Sequence, residues 1–390
     1  MNPMVNQKRL VETFCALSLI DGIHGKELDV ARYLLSQLRT IGLEPRMDDA
    51  GSTFGGNAGN VHARLDGNVG APTILLCAHM DTIQSTKNLI HRRDNGTIIT
   101  DGTTILGGDD RAGIAVILEI LRQLREKSPD HGAVEVLFTV CEEAGMHGAK
   151  YVRRSDVKAE YGFVFDCQAS PGHYIVEAPG AVAFKATVHG RSAHAAVSPE
   201  KGIHAIEIAS KAIAELKLGR WDETGMLNIG TIHGGTAINV VPDKVEITGE
   251  TRNADEAKLE SQKKYITAAF EKAAADAGGT AEIEFALKYG GYRFQEDEPM
   301  ILAAKEAIAS AGLTPTPLKY PGGSDANALN ANGIPMLNLG VGFKNAHSFQ
   351  ECLAESDLIL TAKIGLSIVH SVARAHRRAI VTQNETVRKD

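Results

Sequence analysis

Between residues 27 and 166 the chain alternates two hydrophobic patterns, and no other feature restricts the fold as much. "ELDVARYLLSQLRTIG" (27–42) and "RAGIAVILEILRQLRE" (111–126) repeat apolar residues at helical spacing. "TILLCAHM" (73–80), "VEVLFTV" (134–140) and "YGFVFD" (161–166) are short and almost wholly apolar. A strand that is apolar on both sides must be covered on both faces, and helices between such strands supply the cover. The pattern therefore predicts an α/β domain on a mostly parallel sheet flanked by helices.

Near Pro179-Gly180 the period changes to two. "AVAFKATVHG" and "VEITGETRN" alternate apolar and polar residues, helix-like segments follow at about 201–217 and 255–277, and "AEIEFALKY" closes the region. Half-buried strands with two helices predict an α+β sandwich with one open sheet face. After about residue 293 the first pattern returns: a helix near 298–311, apolar "GIPMLNLGVG", and a last helix over about 357–378. A chain of 390 residues exceeds the size at which one core stops growing. The expectation is a discontinuous main domain, 1–178 and 294–390, with a smaller domain inserted at 179–293.

Composition narrows the partners. With 41 Lys and Arg against 48 Asp and Glu the formal net charge is −7, and no basic stripe is interleaved with aromatics, so nucleic acid is not an expected partner. Glu12 interrupts what would be the apolar core of a secretory signal, and no small-residue cleavage site follows. No apolar run approaches the roughly 18 residues that span a bilayer, so no membrane segment is expected. Five cysteines, at positions 15, 77, 141, 167 and 352, form no C-x-x-C pair and are odd in number, which suits reduced thiols in a cytoplasmic protein.

Acidic and histidine residues recur at the C-terminal ends of the predicted main-domain strands, where open α/β sheets build their sites. "LLCAHMDTI" ends with His79 and Asp81, two apart and so on one side of an extended chain. "ILGGDDRAG" sets Asp109 and Asp110 before a helix; an N-cap accounts for one of them but does not require both. "VFDCQ" puts Asp166 directly after "FVF", where an unpaired carboxylate is costly and a metal or a cation would relieve it. His347 stands in the polar loop "GFKNAHSFQE" and, taken alone, reads as an exposed histidine. Together, His79 and His347 with Asp109, Glu143 and Asp166 can give each of two metal ions three ligands if one carboxylate bridges. Two divalent ions, three carboxylates and a hydroxide sum to neutrality. Mixed nitrogen and oxygen ligation without thiolate favours Zn2+, with Mn2+ or Co2+ as alternatives.

The neighbouring glutamates of "TVCEEAGMHGA" then divide the work. On extended backbone adjacent side chains point to opposite sides, so Glu142 and Glu143 do not chelate the same ion. One can bind metal while the other takes a proton from the attacking water and passes it to the leaving amine.

"LLCAHMDT", "GGDDRAG", "TVCEEAGMHGA", "VFDCQ" and "AHSFQE" resemble, in order and context, the co-catalytic zinc exopeptidase family of peptidase T, carboxypeptidase G, aminoacylase and succinyl-diaminopimelate desuccinylase. The likeness runs through essentially the whole chain. "GGDDRAG" and "PGGSDANALNANGIP" (321–335) bring it nearest the peptidase T-like branch. The resemblance implies that His79 and Asp166 hold one zinc, Glu143 and His347 the other, and that Asp109 bridges them. It also implies Glu142 as general base, Asp81 as the carboxylate orienting the His79 ring, and a cis peptide between Asp109 and Asp110. "GRSAHAAVSPEKGIHAI" resembles the family's dimerisation motif, in which His194 reaches the partner subunit's site to stabilise the oxyanion, and so implies a homodimer. Asn239 and Arg252 resemble its substrate-carboxylate and oxyanion contacts, and Ser324 and Asp325 correspond to a loop near the substrate. The remaining histidines, His147 beside the glutamates included, are read as structural or surface residues. The activity implied is hydrolysis of short peptides, plausibly as a tripeptide aminopeptidase. An N-acyl amino acid deacylase or carboxypeptidase is the alternative with the same chemistry, and a non-catalytic binding module is the alternative without it.

Overall fold

The computed structural model describes residues 5–387, with side chains as far as residue 378. The chain divides into two compact units: the first joins everything up to Val176 with Phe294–Leu318 and the stretch from Ser324 onward, and the second is Glu177–Arg293 with Lys319–Gly323.

The first unit is built on a mixed sheet. Its four central strands, Val134–Thr139, Ile74–His79, Tyr161–Cys167 and Met336–Gly340, run parallel in that order. Val61–Leu65 adds antiparallel on one side and His173–Ala178 on the other. The parallel strands are those the apolar runs marked. The loop 168–172 is too short for the crossover a parallel neighbour needs, so the strand after it turns back. The helix Gly108–Lys127 packs on this sheet, and Gln7–Ser18 and Glu355–Val387 pack on that helix. Phe14, Ile117, Leu121, Phe138, Phe165, Leu337 and Ile368 are among the side chains the contact buries.

A helix and a small sheet are among the parts of this unit that have no counterpart in the sequence reading. Gln7–Ser18 is a helix whose Asn6 side chain caps the Arg9 amide and whose Leu10, Phe14 and Leu17 are buried. A four-stranded sheet joins His91–Asp94 and Thr97–Thr100 to Cys352–Ala354 and Phe343–Lys344. One helix bears on the membrane expectation. Glu355–Arg378 spans 24 residues and contains an 18-residue window with a mean hydropathy of 1.4, long and apolar enough to cross a bilayer by length and composition. Thr361, Lys363, Ser367, His370 and Ser371 break it up, so no unbroken apolar run marks it. In the fold 67% of that window is buried, which is the behaviour of a core helix.

The second unit is a five-stranded antiparallel sheet in the order Gly219–Arg220, Met226–Gly234, Lys244–Asn253, Gly180–His189, Thr280–Tyr289. Helices Ala205–Glu215 and Glu256–Asp276 bury Phe184, Val188, Ile208, Val245, Ile247, Ile266 and Phe270. Polar residues alternate with these along the strands. Lys185 and Lys244 meet Glu246 at 2.9 and 3.0 Å, and Arg252 and Lys288 meet Glu250 at 2.7 and 3.2 Å.

Candidate metal centre

The centre forms where the parallel strands end. His79 is the last residue of a strand whose six residues are all buried. Its Nε2 lies 3.0 Å from Asp109 Oδ1 and 3.7 Å from Asp166 Oδ1, Asp166 being carried by the adjacent strand. The second oxygen of Asp109, Oδ2, lies 3.4 Å from His347 Nε2, and that nitrogen is 3.0 Å from Glu143 Oε2. Asp109 thus stands between two imidazoles and turns a different oxygen to each.

The backbone around these side chains explains how they are held. Asp109 and Asp110 have non-helical backbone angles at the start of Gly108–Lys127, so regular helix begins only after them. Asp110 is the cap: one oxygen accepts from the Gly113 amide at 3.1 Å and the other from the His79 amide at 3.2 Å. The Asp109–Asp110 peptide is cis. Asp81 takes the Glu142 amide on Oδ1 at 3.0 Å and the Glu143 amide on Oδ2 at 3.1 Å. The closest partner of His79 Nδ1 is the Asp81 main-chain oxygen at 3.0 Å, with Oδ1 at 3.4 Å. The Asp81 carboxylate therefore anchors the glutamate loop as well as lying beside the ring.

Two more buried carboxylates do comparable work and have no place in the sequence reading. Glu27 Oε1 accepts from the amides of Gly25 at 2.8 Å and Cys141 at 3.0 Å. Glu351 accepts from Leu106, Gly107 and Asp109. Among the described residues both bond to main-chain amides, which leaves no spacing to recognise. The one available signal for Glu351 is its position at the end of "AHSFQE".

The donor set fits cations. Ligand atoms of His79, Asp109 and Glu143 lie within 4.8 Å of one another, as do those of His79, Asp110 and Asp166. Glu143 Oε1 is buried and has no hydrogen-bond partner. Asp109 and Glu143 together push the His347 imidazole up to about 10. Burial opposes protonation of His79, but Asp109, Asp166 and Asp81 outweigh it and raise the ring well above its usual value. Burial lifts Asp166 to about 8 and Glu142 well above the carboxylate range. On Asp109 burial is overcome by the hydrogen bonds from His347 and His79, which hold its carboxyl low. A cluster that draws protons onto both imidazoles attracts positive charge, and divalent ions satisfy it with the same donors.

Residues 176–278 match the peptidase dimerisation domain, and residues 60–211 match peptidase family M28. The Bacillus subtilis protein YqjE, itself uncharacterized, is 40% identical over 371 residues, which cover 95% of this chain and all of that one. The solved aminopeptidase PepT of Bacillus cereus is 38% identical with a TM-score of 0.90, covering 95% of this chain and 99% of that chain. A solved tripeptidase of Staphylococcus aureus is 36% identical with a TM-score of 0.92, covering 95% and 100%. The chain belongs to the peptidase T-like branch of the dizinc exopeptidase family.

As a member of that family it is a hydrolase, a peptidase. The other residues the sequence pointed to fall in two groups. Ser324 and Asp325 lie in the first unit. Ser324 caps the helix Asp325–Ala331 and accepts from Asn338 Nδ2 at 3.1 Å, while buried Asp325 bonds Thr139 Oγ1 through Oδ2 and leaves Oδ1 without a partner. His194, Asn239 and Arg252 lie in the second unit. His194 is exposed, and its Nδ1 accepts from the Ala196 and Val197 amides at 3.2 and 3.3 Å. Asn239 is exposed and its main-chain oxygen accepts from the Ala195 amide at 3.0 Å. Arg252 is half-buried between Glu250 and the Pro321 carbonyl. His147 stacks on Phe54 with ring centroids 5.1 Å apart.

Proposed function

We propose that this peptidase is a two-metal aminopeptidase of tripeptides. His79 and Asp166 hold one ion, Glu143 and His347 the other, and Asp109 both. The observation that carries the reading is Asp109, with one oxygen toward each imidazole, beside a Glu143 oxygen that has no other partner. Nitrogen and oxygen donors suit Zn2+ first, then Mn2+ or Co2+. The substrate class rests on the B. cereus aminopeptidase and the S. aureus tripeptidase, both similar over the whole length. These relatives favour peptides over the N-acyl amino acid deacylase or carboxypeptidase alternative. All five cysteines are free, which supports a cytoplasmic enzyme.

When bound, a pair of divalent ions acidifies a water and polarises the scissile carbonyl. The chain's residues do the rest. Asp81 fixes the Glu142 and Glu143 amides, so the two side chains are presented from one rigid turn. Burial raises the Glu142 carboxyl, which suits a group that takes the proton of the attacking water and returns it to the departing amine. His194 stabilises the oxyanion from the partner subunit, and Asn239 and Arg252 supply the substrate-carboxylate and oxyanion contacts. Ser324 and Asp325 line the substrate loop. The insert, residues 179–293, serves as dimerisation and lid domain, supported by the match to the peptidase dimerisation domain.

The test pairs metal analysis with a panel of tripeptides, dipeptides and N-acyl amino acids. Tripeptides should be hydrolysed fastest, and turnover confined to N-acyl amino acids would overturn the assignment. Glu142→Gln should lower kcat by about 10²–10⁴-fold while keeping two metal equivalents. Glu143→Gln should lose metal before it loses anything else. A fully active Glu142→Gln enzyme would remove Glu142 from its role.

A further inference from the structure

We propose that Glu351 is a positioning residue: its carboxylate ties the loop carrying Asp109 to the loop carrying His347 and so sets the spacing between the shared carboxylate and the second imidazole. Glu351 is 1% exposed and follows His347 by four residues. Oε2 accepts from the amides of Leu106 at 2.9 Å and Gly107 at 2.7 Å, and Oε1 accepts from the amide of Asp109 at 3.0 Å. Its own amide donates to the Ser348 carbonyl at 3.0 Å, closing the turn that presents His347. One side chain therefore spans the two loops whose side chains meet at 3.4 Å.

Both loops need such a strut. Gly107 has a φ of 71° and Asp109 is non-helical, so these amides lie outside any regular ladder, and buried amides must be paired. Across from them His347 has a φ of 65° and Asn345 of 54°, a left-handed backbone that non-glycine residues keep only when their surroundings impose it. Space is also reserved for the carboxylate. A Cβ on Gly108 would stand 3.0 Å from Glu351 Oε1 and 3.1 Å from Phe343 Cβ, so glycine is what permits the approach.

The inference rests on Asp109 being the shared ligand. Without the strut Asp109 stays near His79 through the Asp110 cap, but its distance to His347 is no longer fixed, so the ion shared with Glu143 and His347 should suffer first. The test is calorimetric titration of the metal-free full chain with Zn2+, beside the absorption spectrum of the Co2+ form. Wild type should take up two equivalents. Glu351→Ala should bind one ion near normally and the other about 10–100-fold more weakly, with an altered Co2+ spectrum. Glu351→Gln, which keeps one acceptor oxygen, should fall between. Glu119→Gln controls for general destabilisation, because Glu119 is equally buried yet bonds Arg9 and Gln123; both of its affinities should stay normal. Wild-type affinity for both ions in Glu351→Ala, or an equal loss in Glu119→Gln, overturns the inference alone. A wild-type chain that takes up no second equivalent overturns the metal reading itself. If Glu351→Ala does not fold, Glu351→Gln decides by the same readouts.

Discussion

Glu27 shows what a buried carboxylate costs when it is not a ligand. Its Oε1 serves two amides, its Oε2 has no partner, and burial, aided by the charge of Asp81, pushes the carboxyl up to about 7 from 4.5. The sign follows from linkage: the folded chain keeps this proton where the unfolded chain has released it, so the contribution to stability is full below about 4.5 and falls as pH rises through about 7. Glu27→Gln keeps the amide acceptor and removes the ionisation. The variant should therefore gain on wild type in urea unfolding between pH 5 and pH 8, by about 2–3 kcal/mol at most. An identical pH dependence for the two proteins would refute the assignment. The same residue marks a limit of sequence reading. His79, Glu143 and Asp166 were legible as candidates because strongly apolar runs end at or near them, and Asp109 because a paired aspartate follows two glycines at a helix start, whereas Glu27 and Glu351 bond to main-chain amides brought close only by folding. Asp109 and Asp110 both occupy the start of one helix, and it is the folded backbone that makes Asp110 the cap and turns Asp109 toward the imidazoles.

Among the elements, the helix Gly108–Lys127 joins core to centre. It carries the cap, it packs on the strands of His79 and Asp166, and a Cβ on Gly113 would stand 2.4 Å from the Phe165 carbonyl and 2.5 Å from Asp110 Oδ1. Gly113→Ala should cost about 1–3 kcal/mol in urea unfolding and weaken metal binding, because the methyl displaces either the strand or the cap. Gly230→Ala is the contrast: its Cβ would meet only the Thr248 carbonyl at 3.7 Å, so stability should change by about 0.5 kcal/mol or less. Equal effects from the two would show that proximity to these backbone atoms does not matter. At this scale the parallel strands and the helices between them were legible, because burial on both faces leaves a continuous apolar signature. The sheet that joins residues 91–100 to residues 343–354 was not, because its pairing lies between segments about 250 residues apart and its strands are four residues or fewer.

At the scale of the whole molecule the second unit presents an unfinished surface. Gly219–Arg220 pairs with Met226 and Leu227, so among the described residues Asn228–Gly234 lacks a neighbour on that side, and Ile232 is 48% and Ile238 104% exposed. Open edges and exposed apolar side chains are where a second copy adds. If the enzyme is a dimer and His194 serves the partner's centre, two inactive variants should rescue each other. Glu142→Gln mixed with His194→Ala under exchange conditions should recover about a quarter of wild-type activity, since half the dimers are mixed and each holds one intact centre. Light scattering that finds a fully active monomer, or mixing that restores nothing, contradicts a trans-acting histidine.

The longer segment of the second unit, Glu177–Arg293, begins and ends side by side. Ala178 pairs with Tyr292 and Glu177 with Arg293, and a Cβ on Gly291 would stand 2.7 Å from the Gly180 amide nitrogen, so little more than a turn would close the gap. Everything between is, in genetic terms, a cassette. Its removal would leave the reading frame of the first unit continuous across a hairpin, and its exchange for another insert would leave the codons of His79, Asp109, Glu143, Asp166 and His347 untouched.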